Sequence, residues 1–168
     1  MNYKKKYLLF LLIAISYVSY AQNKVETKSY FDYNGRVEKL QDNKVLLIGS
    51  ASSVSFDFSG ESCSISLQSI EDHQNYVSLE LDGKYVGRIR IEKGEIKSFP
   101  ISVSKDKKTH HLSIYKATEA ANGSVLFAGT SAKLVESTTP KKKKKIELIG
   151  DSITCGYGND TAEIPCGT

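Results

Sequence analysis

The sequence lacks several features that would point to common functions. No stretch of ten residues between Val45 and Leu134 carries apolar residues at helical spacing, which argues against a helical domain. His, Cys, Asp and Glu show no metal-ligand spacing, so we predict no metal site. No basic stripe with base-reading or stacking groups is present, so nucleic-acid binding is not predicted. The chain also has no tryptophan, and its aromatic volume comes from ten Tyr and six Phe.

The N-terminus has the three parts of a secretory signal peptide. Lys4–Lys6 form a basic leader, Leu8–Ile15 is an unbroken apolar run, and small residues stand at Ser19 and Ala21. The uncharged stretch from 7 to 20 has 14 residues, fewer than the roughly 20 that a membrane-spanning helix needs. We therefore predict a signal peptide over residues 1–21, cleaved after Ala21, rather than an uncleaved anchor. The mature protein would be secreted or periplasmic, without stable membrane insertion.

The positive charge of the chain is concentrated in two places. Once the three leader lysines are set aside, 20 basic residues face 19 acidic ones, a net charge of +1. Five of those basic residues are the run Lys141–Lys145, and the remainder carries a net charge of −4. A run of this kind repels itself and is typical of an extended linker.

Three cysteines in an exported chain allow at most one internal disulfide. Cys155 and Cys166 lie close together in a polar, Gly-rich segment and are the more plausible pair. Cys63 stands between alternating apolar residues, so we predict that it is a small buried hydrophobic residue.

Apolar and polar residues alternate from about Val45 to Leu134, the pattern of half-buried strands. Turn pairs separate the runs, and Asp82-Gly83 is the clearest two-residue hairpin loop. The fold class predicted is all-β, a sandwich or barrel of about eight strands. The apolar runs are Val54/Phe56/Phe58, Ile65/Leu67, Val77/Leu79/Leu81, Ile89/Ile91, Ile101/Val103, Leu112/Ile114 and Val125/Phe127.

The character of the chain changes after Leu134. We predict a β-sandwich domain over 22–135, a Lys-rich linker over 136–145, and the start of a second domain over 146–168. In that last segment Ile146–Ile149 is a short apolar strand that ends in Gly150-Asp151-Ser152.

A strand that ends in Gly-Asp-Ser suggests a nucleophile. Gly150 allows a sharp turn, which would place the Ser152 hydroxyl at the carboxyl end of a strand, where α/β sheets bind ligands. Helix N–H groups beginning there could stabilise an oxyanion. Taken alone the triplet is weak, because Asp151 and Ser152 are also ordinary helix N-cap residues.

Longer motifs are more specific. The string from Ile146 to Asn159 resembles the first block of the SGNH (GDSL-type) hydrolases. Tyr33-Asn-Gly-Arg36, the run from His111 to Glu119, and Ser124-Val-Leu-Phe-Ala-Gly129 are similar to the N-terminal jelly-roll domain of carbohydrate esterase family 2. The two motif sets occur in the family's order around a linker.

The resemblance implies a jelly-roll sandwich followed by the first strand and nucleophile turn of an α/β SGNH domain. Such enzymes remove acetyl groups from plant polysaccharides such as xylan, and hydrolysis by Ser and His needs no cofactor. The resemblance implies that Ser152 is the nucleophile and that its N–H is an oxyanion donor, with Gly150 and Asp151 in support. The substrate would be an acetylated, xylan-like polysaccharide.

The catalytic histidine of that family lies near the end of the SGNH domain, and we expect it in a C-terminal catalytic part missing from these 168 residues, which would be inactive alone. His73 is predicted to lie in an exposed turn. His110 and His111 are predicted to point to opposite faces of a strand, and Lys116 and Glu119 to form a structural pair. The alternative function is a carbohydrate-binding or structural sandwich without activity of its own.

Overall fold

Alternating apolar residues form eleven β-strands in the computed structural model of the protein, which describes residues 30–71, 74–136 and 149–152. Two short 3-10 helices, Gln41–Asn43 and Ala120–Asn122, lie between strands. The strands are β1 (Phe31–Asn34), β2 (Val37–Lys39), β3 (Val45–Leu47), β4 (Ser53–Ser59), β5 (Ser62–Ser69), β6 (Asn75–Leu81), β7 (Lys84–Ile91), β8 (Lys97–Ser102), β9 (Thr109–Lys116), β10 (Val125–Thr130) and β11 (Lys133–Val135).

The strands build two antiparallel sheets. Sheet 1 has the order β1-β4-β9-β6-β7, and β11 pairs with β4 beyond the end of β1. Sheet 2 has the order β2-β3-β10-β5-β8. Consecutive strands lie in different sheets throughout this order, except for the pairs β2–β3 and β6–β7. This alternation gives a jelly-roll-like sandwich.

The core lies between the two sheets. Phe31, Phe56 and Phe127 meet there in edge-to-face contacts, with ring centroids 5.4 and 5.6 Å from that of Phe31. Full burial of one such side chain contributes roughly 2–3 kcal/mol, so this cluster is a main source of stability. The core residues are Val45, Leu47, Val54, Phe56, Phe58, Cys63, Ile65, Leu67, Val77, Leu79, Leu81, Ile91, Ile101, Leu112, Ile114, Val125 and Phe127.

The turn between β6 and β7 is the predicted two-residue hairpin. Asp82 and Gly83 have φ angles of 54° and 78°. Both angles lie in the left-handed region that a type I′ turn requires, and Asp and Gly tolerate that region better than other residues. The hairpin holds β7 as the edge strand of sheet 1.

The prediction of an all-β sandwich is confirmed. The structure adds four short strands, β1, β2, β3 and β11, to the seven apolar runs, so the described residues form eleven strands where about eight were predicted. Each has only three or four residues, too few for a period-2 pattern to stand out from the surrounding loops. Cys63, 4% exposed, is buried in the core as predicted.

The chain divides into two compact units, residues 1–137 and 138–168. The sandwich lies in the first unit, and residues 149–152 are the described part of the second. The domain limits stated above remain predictions. In the part of the chain that the structure describes, no helix is long and apolar enough to cross a membrane.

Candidate functional site

The predicted nucleophile lies on an exposed turn. Gly150, Asp151 and Ser152 are all exposed, and Ser152 is part of a turn. Ile149, just before them, is 92% exposed. The role of Ser152 as nucleophile and oxyanion donor stays a prediction.

Several other predicted features lie outside the described residues. They are the signal peptide of residues 1–21, His73, the lysine run Lys141–Lys145, residues 146–148 of the apolar strand, and the pair Cys155 and Cys166. Those predictions are neither confirmed nor contradicted.

His110 and His111 point to opposite faces of β9, as the strand periodicity predicts. His110 is 1% exposed and its ring packs 5.4 Å from that of Phe58, on the core side. The side chain of His111 is 34% exposed on the outer face of sheet 1. Each histidine contacts an aspartate, so neither is an isolated base.

Asp82 in the hairpin turn receives three donors from the start of β9 and its preceding loop. Its carboxylate lies 2.9 Å from His110 Nδ1, 3.0 Å from the His111 main-chain nitrogen and 3.2 Å from Lys107 Nζ. Burial alone would raise the pKa of Asp82, but these bonds outweigh it and lower the pKa to about 2. The turn between β6 and β7 is thereby tied to β9.

On the outer face of sheet 1, Asp57, His111 and Ser113 form a connected row. Asp57 lies directly opposite His111 in the β4–β9 pairing, and its Oδ1 contacts His111 Nδ1. Ser113 Oγ lies 3.3 Å from His111 Nε2. No sequence motif singles out Asp57 or Ser113. The alternation on each strand places both residues on the outward-facing side, as it does His111. That they meet follows only from the pairing register of β4 and β9.

At the other end of β9, Lys116 is 1% exposed. Its Nζ donates to the main-chain carbonyls of Thr118 and Glu119, at 2.7 and 2.6 Å. Burial lowers the pKa of Lys116 to about 8, against a smaller raising effect of the Glu119 carboxylate. The predicted pairing of Lys116 with Glu119 is thus present, and its hydrogen bond goes to the main chain.

A buried amide continues this network. Asn75 is fully buried, and its Nδ2 donates to Ser69 Oγ at 2.9 Å and to the Asn122 carbonyl at 2.8 Å. The Thr118 hydroxyl donates to Asn75 Oδ1. Asn75 therefore joins β5, β6 and the loop after β9 through one side chain.

The only cysteine in the described residues is Cys63, a free thiol whose Sγ lies 3.5 Å from Thr130 Oγ1. Burial raises the pKa of this thiol, and the contact with Thr130 lowers it by less. A buried thiol with a raised pKa is not a reactive nucleophile. Within the described ranges, no three His, Cys, Asp or Glu side chains are placed to hold a metal ion.

The family model described as "Carbohydrate esterase 2 N-terminal" matches residues 33–140. The chain belongs to this family. The match begins within β1 and extends past the end of β11. The resemblance carried by the Tyr33, His111 and Ser124 motifs is therefore confirmed. The homologues of this chain are carbohydrate esterases, which places the sandwich as the N-terminal domain of an ester-hydrolase family.

Three relatives show how much of such proteins the chain spans. The cellulase/esterase CelE of Acetivibrio thermocellus is 33% identical over 131 residues, which are 76% of this chain and 16% of that protein. The acetylxylan esterase / glucomannan deacetylase of Cellvibrio japonicus is 32% identical over 111 residues, 65% of this chain and 29% of that protein. The structure of a family two carbohydrate esterase from Clostridium thermocellum in complex with cellohexaose is 32% identical, with a TM-score of 0.67. That likeness covers 77% of this chain and 40% of the other. The chain therefore spans well under half the length of each.

Proposed function

We propose that the chain is the N-terminal part of an exported carbohydrate esterase that removes acetyl groups from plant polysaccharide. The observation that carries the proposal is the order of two independent features. The family match over residues 33–140 is followed, after the lysine run and a short apolar segment, by Gly150-Asp151-Ser152. A relative that shares 32% identity is named an acetylxylan esterase and glucomannan deacetylase, which favours an acetylated hemicellulose as substrate.

Ser152 is the nucleophile in this proposal. Its hydroxyl attacks the acetyl carbonyl carbon, the sugar oxygen leaves as an alcohol, and water then releases acetate from the acyl-serine. The Ser152 N–H stabilises the oxyanion.

The general base in this proposal is a histidine of the later part of the catalytic domain. The two described histidines belong to strand β9 of the sandwich, where His110 contacts Asp82 and His111 contacts Asp57. Residues 1–168 alone are expected to be nearly inactive, since a serine without its base loses most of its rate.

Export by a cleavable signal peptide over residues 1–21 is part of the proposal. It is supported by the basic leader, the apolar run and the small residues before the cleavage point. A polysaccharide too large to enter a cell requires an enzyme outside it.

The assignment of Ser152 as nucleophile is tested by measuring acetate release from acetylated xylan. The polypeptide used is the one produced from the complete gene. Ser152→Ala is expected to lower kcat by at least about 10³-fold, because the covalent step is lost. Ser98→Ala changes an exposed serine of β8 and serves as the matched control, with an unchanged rate. Full activity in the Ser152→Ala protein would show that another group attacks the ester.

A further inference from the structure

The Asp57–His111–Ser113 row has the connectivity of an activated hydroxyl. The His111 ring lies between the other two groups, with its Nδ1 against the Asp57 carboxylate and its Nε2 3.3 Å from Ser113 Oγ. A carboxylate accepts a hydrogen bond, so Nδ1 carries a proton, and in the neutral imidazole Nε2 then presents its lone pair. The Ser113 hydroxyl then donates to Nε2, and His111 is placed to take its proton.

The row is held rigidly by the sheet. Asp57 and His111 are register partners on two central strands, and the His111 main-chain nitrogen donates to Asp82. The Asp57 side chain is 10% exposed, so solvent competes weakly for its hydrogen bond to His111. A base that is oriented by a third group and touches a hydroxyl is the arrangement that activates serine nucleophiles.

We propose that Ser113 is an acylation site, modified by esters of small acyl groups. The step forms a bond between Ser113 Oγ and the acyl carbon and breaks the bond from that carbon to the leaving oxygen. The Ser113 proton passes to His111 Nε2 and from there to the leaving alkoxide or phenoxide, while Asp57 keeps the Nδ1 proton. This proposal is independent of the role of Ser152.

Access limits the acyl group to a small one. Ser113 is 4% exposed, whereas the side chain of His111 beside it is 34% exposed. A reagent therefore approaches along the His111 edge, which admits an acetyl ester more readily than a polymer-bound one. Strand β9 also has a partner strand on both sides, so its main-chain N–H groups serve the ladders rather than an oxyanion. Slow, stoichiometric modification is expected rather than rapid turnover.

The test is incubation of the chain with p-nitrophenyl acetate, followed by tryptic digestion and mass spectrometry. Cleavage after Lys108 and Lys116 releases a peptide whose only serine is Ser113, and cleavage after Lys145 separates Ser152 from it. Fragment ions distinguish acetyl on Ser113 from acetyl on Tyr115. Adducts at Ser113 and at Ser152 are thus counted separately, so the proposal for one serine can fail while the proposal for the other stands.

Ser113 is expected to be acetylated at least about 100-fold faster than Ser55 or Ser78, which share the outer face of sheet 1, since a positioned base contributes about that factor or more. His111→Gln should bring Ser113 down to the rate of those serines, and Asp57→Asn should slow it by about 10-fold. Ser55→Ala, a change at the register partner of Ser113, should leave the rate unchanged.

Equal rates at Ser113 and Ser55 in the unaltered chain would overturn the proposal, and this comparison needs no variant to fold. Undiminished labelling of a folded His111→Gln protein, checked by circular dichroism, would overturn it as well.

Discussion

Strand β9 is anchored at both of its ends, and the two anchors use opposite chemistry. At its start, the Asp82 carboxylate accepts hydrogen bonds from His110, the His111 main chain and Lys107 at a turn where its side chain is 17% exposed. At its end, the Lys116 ammonium is buried and donates to main-chain carbonyls. One anchor is a charged acceptor among donors, and the other is a charged donor among neutral acceptors.

Asp82 and Lys116 both have a lowered pKa, but the shift favours the charged form of the acid and the neutral form of the base. The lowered pKa of Asp82 shows that the folded protein stabilises its charged form. The lowered pKa of Lys116 shows that the folded protein disfavours its charged form. The two ends of one strand therefore respond to different pH ranges. Their difference teaches that hydrogen bonds suffice to hold a charge at a turn but do not fully replace water around a buried ammonium.

The largest expected effect comes from removing the amide beside Lys116. Asn75→Ala deletes the bonds to Ser69, Thr118 and Asn122 and leaves their polar groups buried without that partner. At about 1 kcal/mol for each bond, the free energy of unfolding should fall by about 3 kcal/mol. Urea denaturation followed by far-UV circular dichroism measures it.

Asn34→Ala, a change at an exposed residue of β1, is the control and should stay within about 0.5 kcal/mol of the unaltered protein. A loss below 1 kcal/mol in Asn75→Ala would show that the buried end of β9 is not held by this network.

A smaller effect is expected at the charged anchor. Asn tolerates the left-handed φ of 54° at position 82, so Asp82→Asn removes the charge and keeps the turn. A pKa lowered from 3.8 to about 2 corresponds to about 2 kcal/mol, which screening by solvent at the turn reduces to about 1 kcal/mol. The unfolded state binds the proton first as pH falls, so this stability is present above about pH 4 and lost as pH falls towards about 2.

Urea denaturation of the unaltered protein and of Asp82→Asn between about pH 7 and pH 2 measures the difference in their free energies of unfolding. That difference should shrink towards zero at the acid end. Asp32→Asn, at an exposed position of β1, should show no such trend. A difference that persists unchanged at about pH 2 would mean that the bonds to Asp82 do not depend on its charge.

The strands and the hairpin turn could be predicted from the sequence better than the polar contacts at the two ends of β9. Period-2 alternation and the Asp82-Gly83 pair are local signals, so most of the long strands and the hairpin could be predicted from neighbouring residues. The short strands β1 and β11 pair with β4, and the short strands β2 and β3 pair with each other. No local pattern reveals these partners.

The partners of the polar side chains were harder to predict, because they depend on which residues of paired strands lie opposite each other. The pattern predicted that His110 and His111 face opposite sides of β9, but not that Asp82 and Asp57 are their partners, 28 and 54 residues away in sequence. Lys116 and Glu119 were predicted as a pair because they are close in sequence, and the hydrogen bond from Lys116 to the Glu119 carbonyl also needed the loop conformation. For Ser152, the motif alone supports the assignment as nucleophile.

The smallest and most specific effect is the alkaline response of Lys116. Its folded pKa of about 8 lies below the ordinary value of 10.5, so between these values the unfolded state binds more protons and stability rises with pH. Relative to Lys116→Met, which keeps an unbranched apolar stem without the charge, the unaltered protein should gain about 1 kcal/mol between about pH 7 and pH 9. Urea denaturation at several pH values measures the gain, and Lys133→Met at an exposed position of β11 should give a flat difference. A stability difference for Lys116→Met that is flat or falls with pH would mean that its two carbonyl partners solvate the ammonium as well as water does, and the contrast between the two ends of β9 would then disappear.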